Sequence, residues 1–364
     1  DNITLADISS EDQTKLINDT KNYIANTLGY NINNILVYLS EGSVNINIVV
    51  FAEVEDSVFT DVDDNEYRIS VLGEIIESTY NGVTQNGNTL TKDNIKTAVL
   101  GKSVTSIGDW AFYRSSVTEF TIPSSVNTIG DSAFAYSSAL KQFIVSSNSN
   151  HFEVIDGVLY KKNSDNTLEL IQYPLAKGNT AFTIPNNVVK LLNRCFACES
   201  NSQCNLKSLV MSDSVTSVGI LTFRASNIES IQLSNNLENI GRGAFYNCTE
   251  LTSITIPNSV TIIEYAVFYR CNSLSSITIP SSVKTIGKYA FLFATVSEVT
   301  FEENSQIETI DDYAFYGSQL TTVLIYENSI TISGNTYNVG DNNIIFFGTG
   351  GVSIRDINTP VNAI

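Results

Sequence analysis

The amino-acid sequence predicts a small α+β domain followed by a solenoid of stacked parallel strands with irregular or short helical returns. Three observations carry this: a phenylalanine recurs at near-constant steps, an apolar residue stands eight positions before each copy, and an alternating I-x-I stretch closed by proline precedes many of them. Val104, Val126, Val188, Val215, Leu237, Val260, Val283 and Ile307 are each followed eight residues later by Phe112, Phe134, Phe196, Phe223, Phe245, Phe268, Phe291 and Phe315. Successive phenylalanines stand 22, 62, 27, 22, 23, 23 and 24 residues apart. Such a period marks a chain built from stacked copies of one supersecondary unit.

The unit is clearest at Leu251–Phe268, LTSITIPNSVTIIEYAVF. Ile254 and Ile256 alternate with polar Thr255, the period of a half-buried strand. Pro257 ends it, because proline has no N–H to give to a ladder. Asn258 and Ser259 supply turn chemistry, and Val260, Ile263, Ala266 and Phe268 return apolar groups. One unit cannot bury that apolar side alone. Stacked neighbours about 4.8 Å apart can, with Phe over Phe and Ile over Ile.

Before the array the rhythm differs. Ser10 with Gln13 fits a capping box, and Leu16, Ile17, Tyr23, Ile24 and Leu28 recur at helical spacing up to Gly29, predicting a helix over 10–28. Residues 34–39 and 44–51 read as two strands joined at Glu41/Gly42. A second helix is expected from Arg68 to Tyr80, with Leu72, Ile75, Ile76 and Tyr80 on one side. Residues 1–80 then form the α+β domain, and the polar stretch 81–94 reads as a linker. The solenoid is expected over 95–329, with strand starts at Ile95, Val117, Leu140, Asn179, Leu206, Ile228, Leu251, Leu274, Val296 and Leu320. Near 152–174 the phenylalanine module is missing, and Val154–Pro174 reads as a β-hairpin insertion with its tip at Asn163–Asn166. Residues 330–364 lose the period and predict a β-rich cap over the last rung.

The pattern IGxxAFxxCxxLxxIxIPxSV resembles the BspA-like subfamily of leucine-rich repeats, found in surface proteins of gut and oral bacteria and some protists. The likeness runs from about Ile95 to Tyr326. It implies a right-handed leucine-rich repeat solenoid, an extracellular or cell-surface location and a binding role. It transfers no catalytic residue, since the repeat motif contains none.

Charge narrows the partners. The chain carries 38 acidic and 20 basic residues, a net of −18. That disfavours nucleic acid, whose phosphates require Lys and Arg. No apolar run approaches a membrane span. The start at Asp1, without Met or a basic-then-apolar leader, suggests a mature or trimmed product.

Little in the sequence points to catalysis, a cofactor or a metal. Any Ser/His/Asp scheme would need His151, which sits in the polar run SSNSNHF. The acidic DVDDNE at 61–66 has Glu66 where an EF-hand needs Gly and Leu72 where it needs the closing Glu, so it reads as a solvated acidic loop, with a looser calcium site as the alternative. Cys195, Cys248 and Cys271 fill small-residue slots and read as buried thiols. Cys198 and Cys204 can form a short disulfide, and the lone Cys195/Cys198 CxxC is a weak zinc signal.

Two outer surfaces are candidates for binding. Outward strand positions, among them Glu119, Gln142, Gln232, Thr255, Thr278 and Glu298, make a Ser/Thr-rich sheet face. Tyr113, Tyr246, Tyr269 and Tyr316 directly follow spine phenylalanines and make a stripe on one flank, where aromatic rings can either pack over neighbouring turns or anchor a partner. The expected function is noncatalytic adhesion, with a protein partner such as a host matrix or microbial surface component on the solenoid. A glycan partner, and a spacer role for the solenoid, are the alternatives.

Overall fold

The computed structural model describes residues 9–28, 35–40, 45–50, 56–71, 73–201 and 204–318, and five strands between 323 and 356. It is a parallel β-solenoid of about ten turns with very little helix. The helix Ser10–Leu28 has the expected span, but its cap is Ser9 rather than Ser10: Ser9 Oγ accepts the Asp12 N–H at 3.1 Å. Ile35–Ser40 and Asn45–Val50 pair antiparallel.

The helix expected at Arg68–Tyr80 is replaced by strands Glu66–Ile69 and Gly73–Ile75 and a single helical turn, Glu77–Tyr80. Gly73 at φ +89° interrupts any helix there, and Gly73–Ile75 instead adds a parallel strand to Val104–Ile107. Tyr67 and Ile75 are fully buried. Residues 57–94 pack with the array. Ser57–Asp61 pairs antiparallel with Ile95–Val99 and with Glu66–Ile69, covering the first rung's edge. Within 81–94, Thr84–Gln85 and Asn88–Thr89 form a small hairpin, and Leu90 is buried.

Each full turn contributes to three ladders. The I-x-I strands stack in parallel, as in Ile95–Val99 on Glu119–Ile122 on Gln142–Val145, and Ser276–Ile279 on Glu298–Phe301. The V-x-x-I strands form a second ladder, as in Val188–Leu191 on Ser217–Val218 on Asn239–Ile240. The third ladder is built from tight turns around each phenylalanine. Two residues before every spine phenylalanine, from Trp110 to Tyr313, φ lies between 54° and 64°. Two residues after, it is again positive in every rung except that of Cys198. Non-glycine residues pay for that conformation, at roughly 1–2 kcal/mol each. The offset is regular: Ala266, Phe268 and Arg270 donate their N–H groups to Lys288, Ala290 and Leu292 of the next rung at 3.1, 2.7 and 2.9 Å, and the rungs of Phe112, Phe196, Phe223, Phe245 and Phe291 repeat the pattern.

Side chains tie the rungs further. The serine just before the recurring valine slot donates to the preceding rung's carbonyl at 2.7 Å in each of four copies: Ser125 to Val104, Ser214 to Val188, Ser259 to Leu237 and Ser282 to Val260. Rings Phe196, Phe223, Phe245, Phe268, Phe291 and Phe315 stack with centroids 4.9–5.5 Å apart. Each such buried ring contributes roughly 2–3 kcal/mol by transfer from water.

The insertion is a three-stranded meander, Phe152–Ile155, Val158–Lys162 and Leu168–Gln172. Its first turn, Asp156-Gly157, has φ 49° and 74°, the left-handed pair a two-residue hairpin turn requires. The last strand rejoins the array beside Val188–Leu191. The middle strand divides the interior: Leu159 packs in the N-terminal core, Val158 and Tyr160 in the C-terminal one. Beyond residue 318, Ser329–Ile332 extends the second ladder in parallel, and Asn343–Gly348 pairs antiparallel with Val323–Leu324 and Gly351–Asp356.

Candidate functional surface

The strand face follows from the alternation. Glu119 and Gln142 are neighbours across a parallel pair and hydrogen-bond to each other; Gln232, Thr255, Thr278 and Glu298 are all exposed. Between them lie exposed apolar positions absent from the sequence reading, Val99, Ile144 and Val210. The face is polar, weakly charged and flat in chemistry. Lys207 and Glu229 on its rim pair at 2.6 Å.

The turn face is chemically richer than the four tyrosines suggested. Tyr113, Tyr246 and Tyr269 are half-buried and Tyr316 is 45% exposed. Tyr246 and Tyr269 stack directly, 4.4 Å apart and 8° from parallel. Burial first, and then the Tyr269 hydroxyl beside it, raises the Tyr246 phenol above its ordinary value. Tyr113 does not join that pair; it packs edge-on against Trp110 and Tyr136 at 5.1 and 5.4 Å. Tyr316 packs edge-on against Phe293 and Tyr313.

Cations are threaded between these rings. Arg224 lies 5.3 Å over Tyr136 and 5.9 Å over Tyr246. Arg270 lies 5.4 Å over Tyr269 and 5.6 Å over Phe293. A second row places Arg242 4.9 Å over Tyr265, and Lys288 5.1 Å over Tyr289. Five of the chain's seven arginines, Arg114, Arg194, Arg224, Arg242 and Arg270, fall within three residues of a spine phenylalanine. That clustering was visible in the sequence. The ring partners Trp110, Tyr136, Tyr265, Tyr289, Phe293 and Tyr313 were not, because they occupy different offsets in different rungs.

The remaining candidates resolve into structural roles. Cys198 and Cys204 are joined by a disulfide, Cα–Cα 6.4 Å. Its loop spans several rungs, with Glu199 paired to Arg114 and Asn201 bonded to Thr249. Cys195, Cys248 and Cys271 are free and buried. Burial pushes the Cys248 thiol up to about 12 and raises Cys195 and Cys271 well above the usual range. Cys248 and Cys271 donate Sγ–H to the carbonyls of Phe223 and Phe245, as Ser137 Oγ does to Phe112, so the slot selects a small donor. Asp61 is not solvated as expected. It is buried, and its carboxylate accepts from Asp63 N–H, from the Asn65 backbone and side chain, and from Tyr67 Oη at 2.8–3.1 Å. His151 is exposed. Among the described residues no cluster of three His, Cys, Asp or Glu could hold a metal, and no helix is long and apolar enough to cross a membrane.

Short stacked strands, a buried phenylalanine column and two broad outer faces define a leucine-rich repeat protein, a class that serves as a binding scaffold. A model of the BspA type leucine rich repeat region matches in six copies over residues 85–168, 177–227 and 216–344. The chain belongs to that family. It is similar to a leucine rich cell surface protein from Faecalibacterium prausnitzii, at 29% identity over 65% of this chain and 62% of that one, with a TM-score of 0.53. A leucine-rich repeat protein from Eubacterium ventriosum matches at 29% identity, 73% and 72% coverage and TM-score 0.54. The chain thus spans less than two thirds of the Faecalibacterium protein's crystallised length. No curated protein matches it.

Proposed function

We propose that this chain is a noncatalytic, extracellular binding protein that uses the turn face of its solenoid to adhere to a protein partner, such as a host matrix or microbial surface component. The observation carrying the reading is the run of partly exposed rings and cations from Trp110 to Tyr316, bridged by buried Tyr136. Tyr, Trp and Arg are the residues that dominate protein interface energetics. A repeat relative described as a cell surface protein supports the location, as does the Cys198–Cys204 disulfide, a bond at home in oxidising compartments. Stacking of Tyr246 on Tyr269 counts against the glycan alternative, because a sugar platform needs free ring faces and these are covered by each other and by arginines.

The test is binding of immobilised surface and matrix proteins to the purified chain and to two variants. Tyr269→Ser on the turn face should reduce capture, whereas Thr278→Lys on the strand face should leave it unchanged. The reverse order would assign binding to the strand face, and no capture by any well-folded sample would end the reading.

A further inference from the structure

We infer that the turn face over residues 220–294 receives an acidic segment of its protein partner, a reading that rests on the function just proposed. Four consecutive turn segments, 220–226, 242–248, 265–271 and 288–294, contain Arg224, Arg242, Arg270 and Lys288 and no Asp or Glu. In a chain of net charge −18, those turns are a positive island, bordered on the Arg242 side by Glu238 and Glu264 of the adjoining cavity.

The island is also unspent. At the N-terminal end of the same face the arginines are committed: Arg114 pairs with Glu199 at 2.5 Å and Arg194 with Asp131 at 3.7 Å. Arg224 Nη1 donates to the Cys198 carbonyl at 3.2 Å. By contrast, Arg242, Arg270 and Lys288 form no ion pair among the described residues; their contacts are with aromatic rings. Arg242 and Arg270 are exposed.

Stacking decides what these groups can take. A guanidinium carbon 4.9–5.6 Å over a ring centroid still leaves N–H groups directed away from that ring, and their fork matches a carboxylate with two parallel hydrogen bonds. The ring beneath holds the fork in place, so less side-chain entropy is lost on binding. Exposed Phe293, beside Arg270, offers apolar contact between charge sites. Carboxylates alternating with short apolar side chains on one extended segment fit that surface. The ring geometry that argues against a sugar platform also favours a protein source of the acid.

The experiment uses the full chain in 0.15 M salt, where the Debye length of about 8 Å screens the protein's own net charge. Fluorescence anisotropy would follow a labelled peptide of alternating Glu and Val and its Gln/Val counterpart. The acidic peptide should bind and the amide peptide should not. Replacing Arg242, Arg270 and Lys288 together by Gln should weaken binding at least about tenfold, since hydrogen bonds between charged groups exceed neutral ones. Replacing Lys141 and Lys284, exposed on the strand faces, by Gln should change it less than about twofold. Arg242→Lys with Arg270→Lys keeps the charge and controls for lost ring packing; it should bind with intermediate strength. Equal binding of both peptides, or none of either, overturns the acidic partner. Binding of heparin without the Glu/Val peptide overturns it in favour of an anionic polysaccharide. If Tyr269→Ser abolishes partner capture while the charge variants do not, the turn face stands as the binding surface and the acidic segment falls.

Discussion

Tyr173 stands over Phe196 with ring centroids 5.0 Å apart, and its N–H donates to the carbonyl of Cys195 at 2.9 Å. Spine phenylalanines make that same pair of contacts with the next rung, so Tyr173 fills the phenylalanine slot of the insertion rung. Its hydroxyl is buried without a hydrogen-bond partner among the described residues. A buried polar group left unpaired costs roughly 1–3 kcal/mol. Tyr173→Phe is therefore expected to leave the thermal midpoint unchanged or raise it, whereas Tyr173→Ala should cost about 3–5 kcal/mol. A clear loss of stability in Tyr173→Phe, measured by urea denaturation, would show that the hydroxyl has a partner.

Phe268 is fully buried between Phe245 and Phe291, at 5.5 and 5.1 Å. Truncation to Ala removes contacts on both sides and leaves a hole that stacked backbones cannot close. We expect a loss of about 3–5 kcal/mol. A melting curve superimposable on the parent's would contradict a shared core.

Ser259 Oγ donates to the Leu237 carbonyl at 2.7 Å while its neighbour Asn258 is exposed. Ser259→Ala should cost about 1 kcal/mol, the net worth of a part-buried hydrogen bond, and Asn258→Ala less than about 0.5 kcal/mol. Paired chemical denaturation of the two variants checks this, and equal effects would demote the serine to simple turn chemistry.

Asp61 supplies a pH dependence. Burial raises its carboxyl, yet the hydrogen bonds from Asn65, Tyr67 and Asp63 outweigh burial and hold it below the ordinary value of 3.8. A depressed folded value means the carboxylate's contribution is complete above 3.8 and is lost as pH falls through the lower folded value. The stability gap between the parent and Asp61→Asn should thus be wide at pH 6 and shrink at strongly acid pH. A gap constant across that range, read from denaturation midpoints, would remove Asp61 from the acid limb.

The array was legible because its signal repeats: an error at one phenylalanine is outvoted by the other copies. Tyr80 and Tyr173 escaped for the complementary reason. Each fills the phenylalanine slot once, next to a cap or an insertion where the spacing changes, and Tyr80 stacks on Phe112 at 4.9 Å all the same. The stretch 68–80 read as helix because Ile75, Ile76 and Tyr80 suit either periodicity, and only Gly73 and the open edge of Val104–Ile107 decide between them. On the candidate surface, Tyr246 and Tyr269 share an offset and were found together. Tyr265 and Tyr289 lie three and two residues before their phenylalanines, and only the winding brings them to 5.5 Å.

In the ladder of tight turns, every inter-rung N–H points the same way, toward the following rung. The column is therefore polar, and its head at the first rung is a row of acceptors. There the Tyr80 hydroxyl donates to the Ala111 carbonyl at 2.9 Å, occupying the acceptor that spine phenylalanine amides take in later rungs. Two heads cannot join through this ladder, since acceptors repel acceptors. A single phenol satisfies the head of the ladder, where rung-to-rung pairing alone would leave the Ala111 carbonyl open.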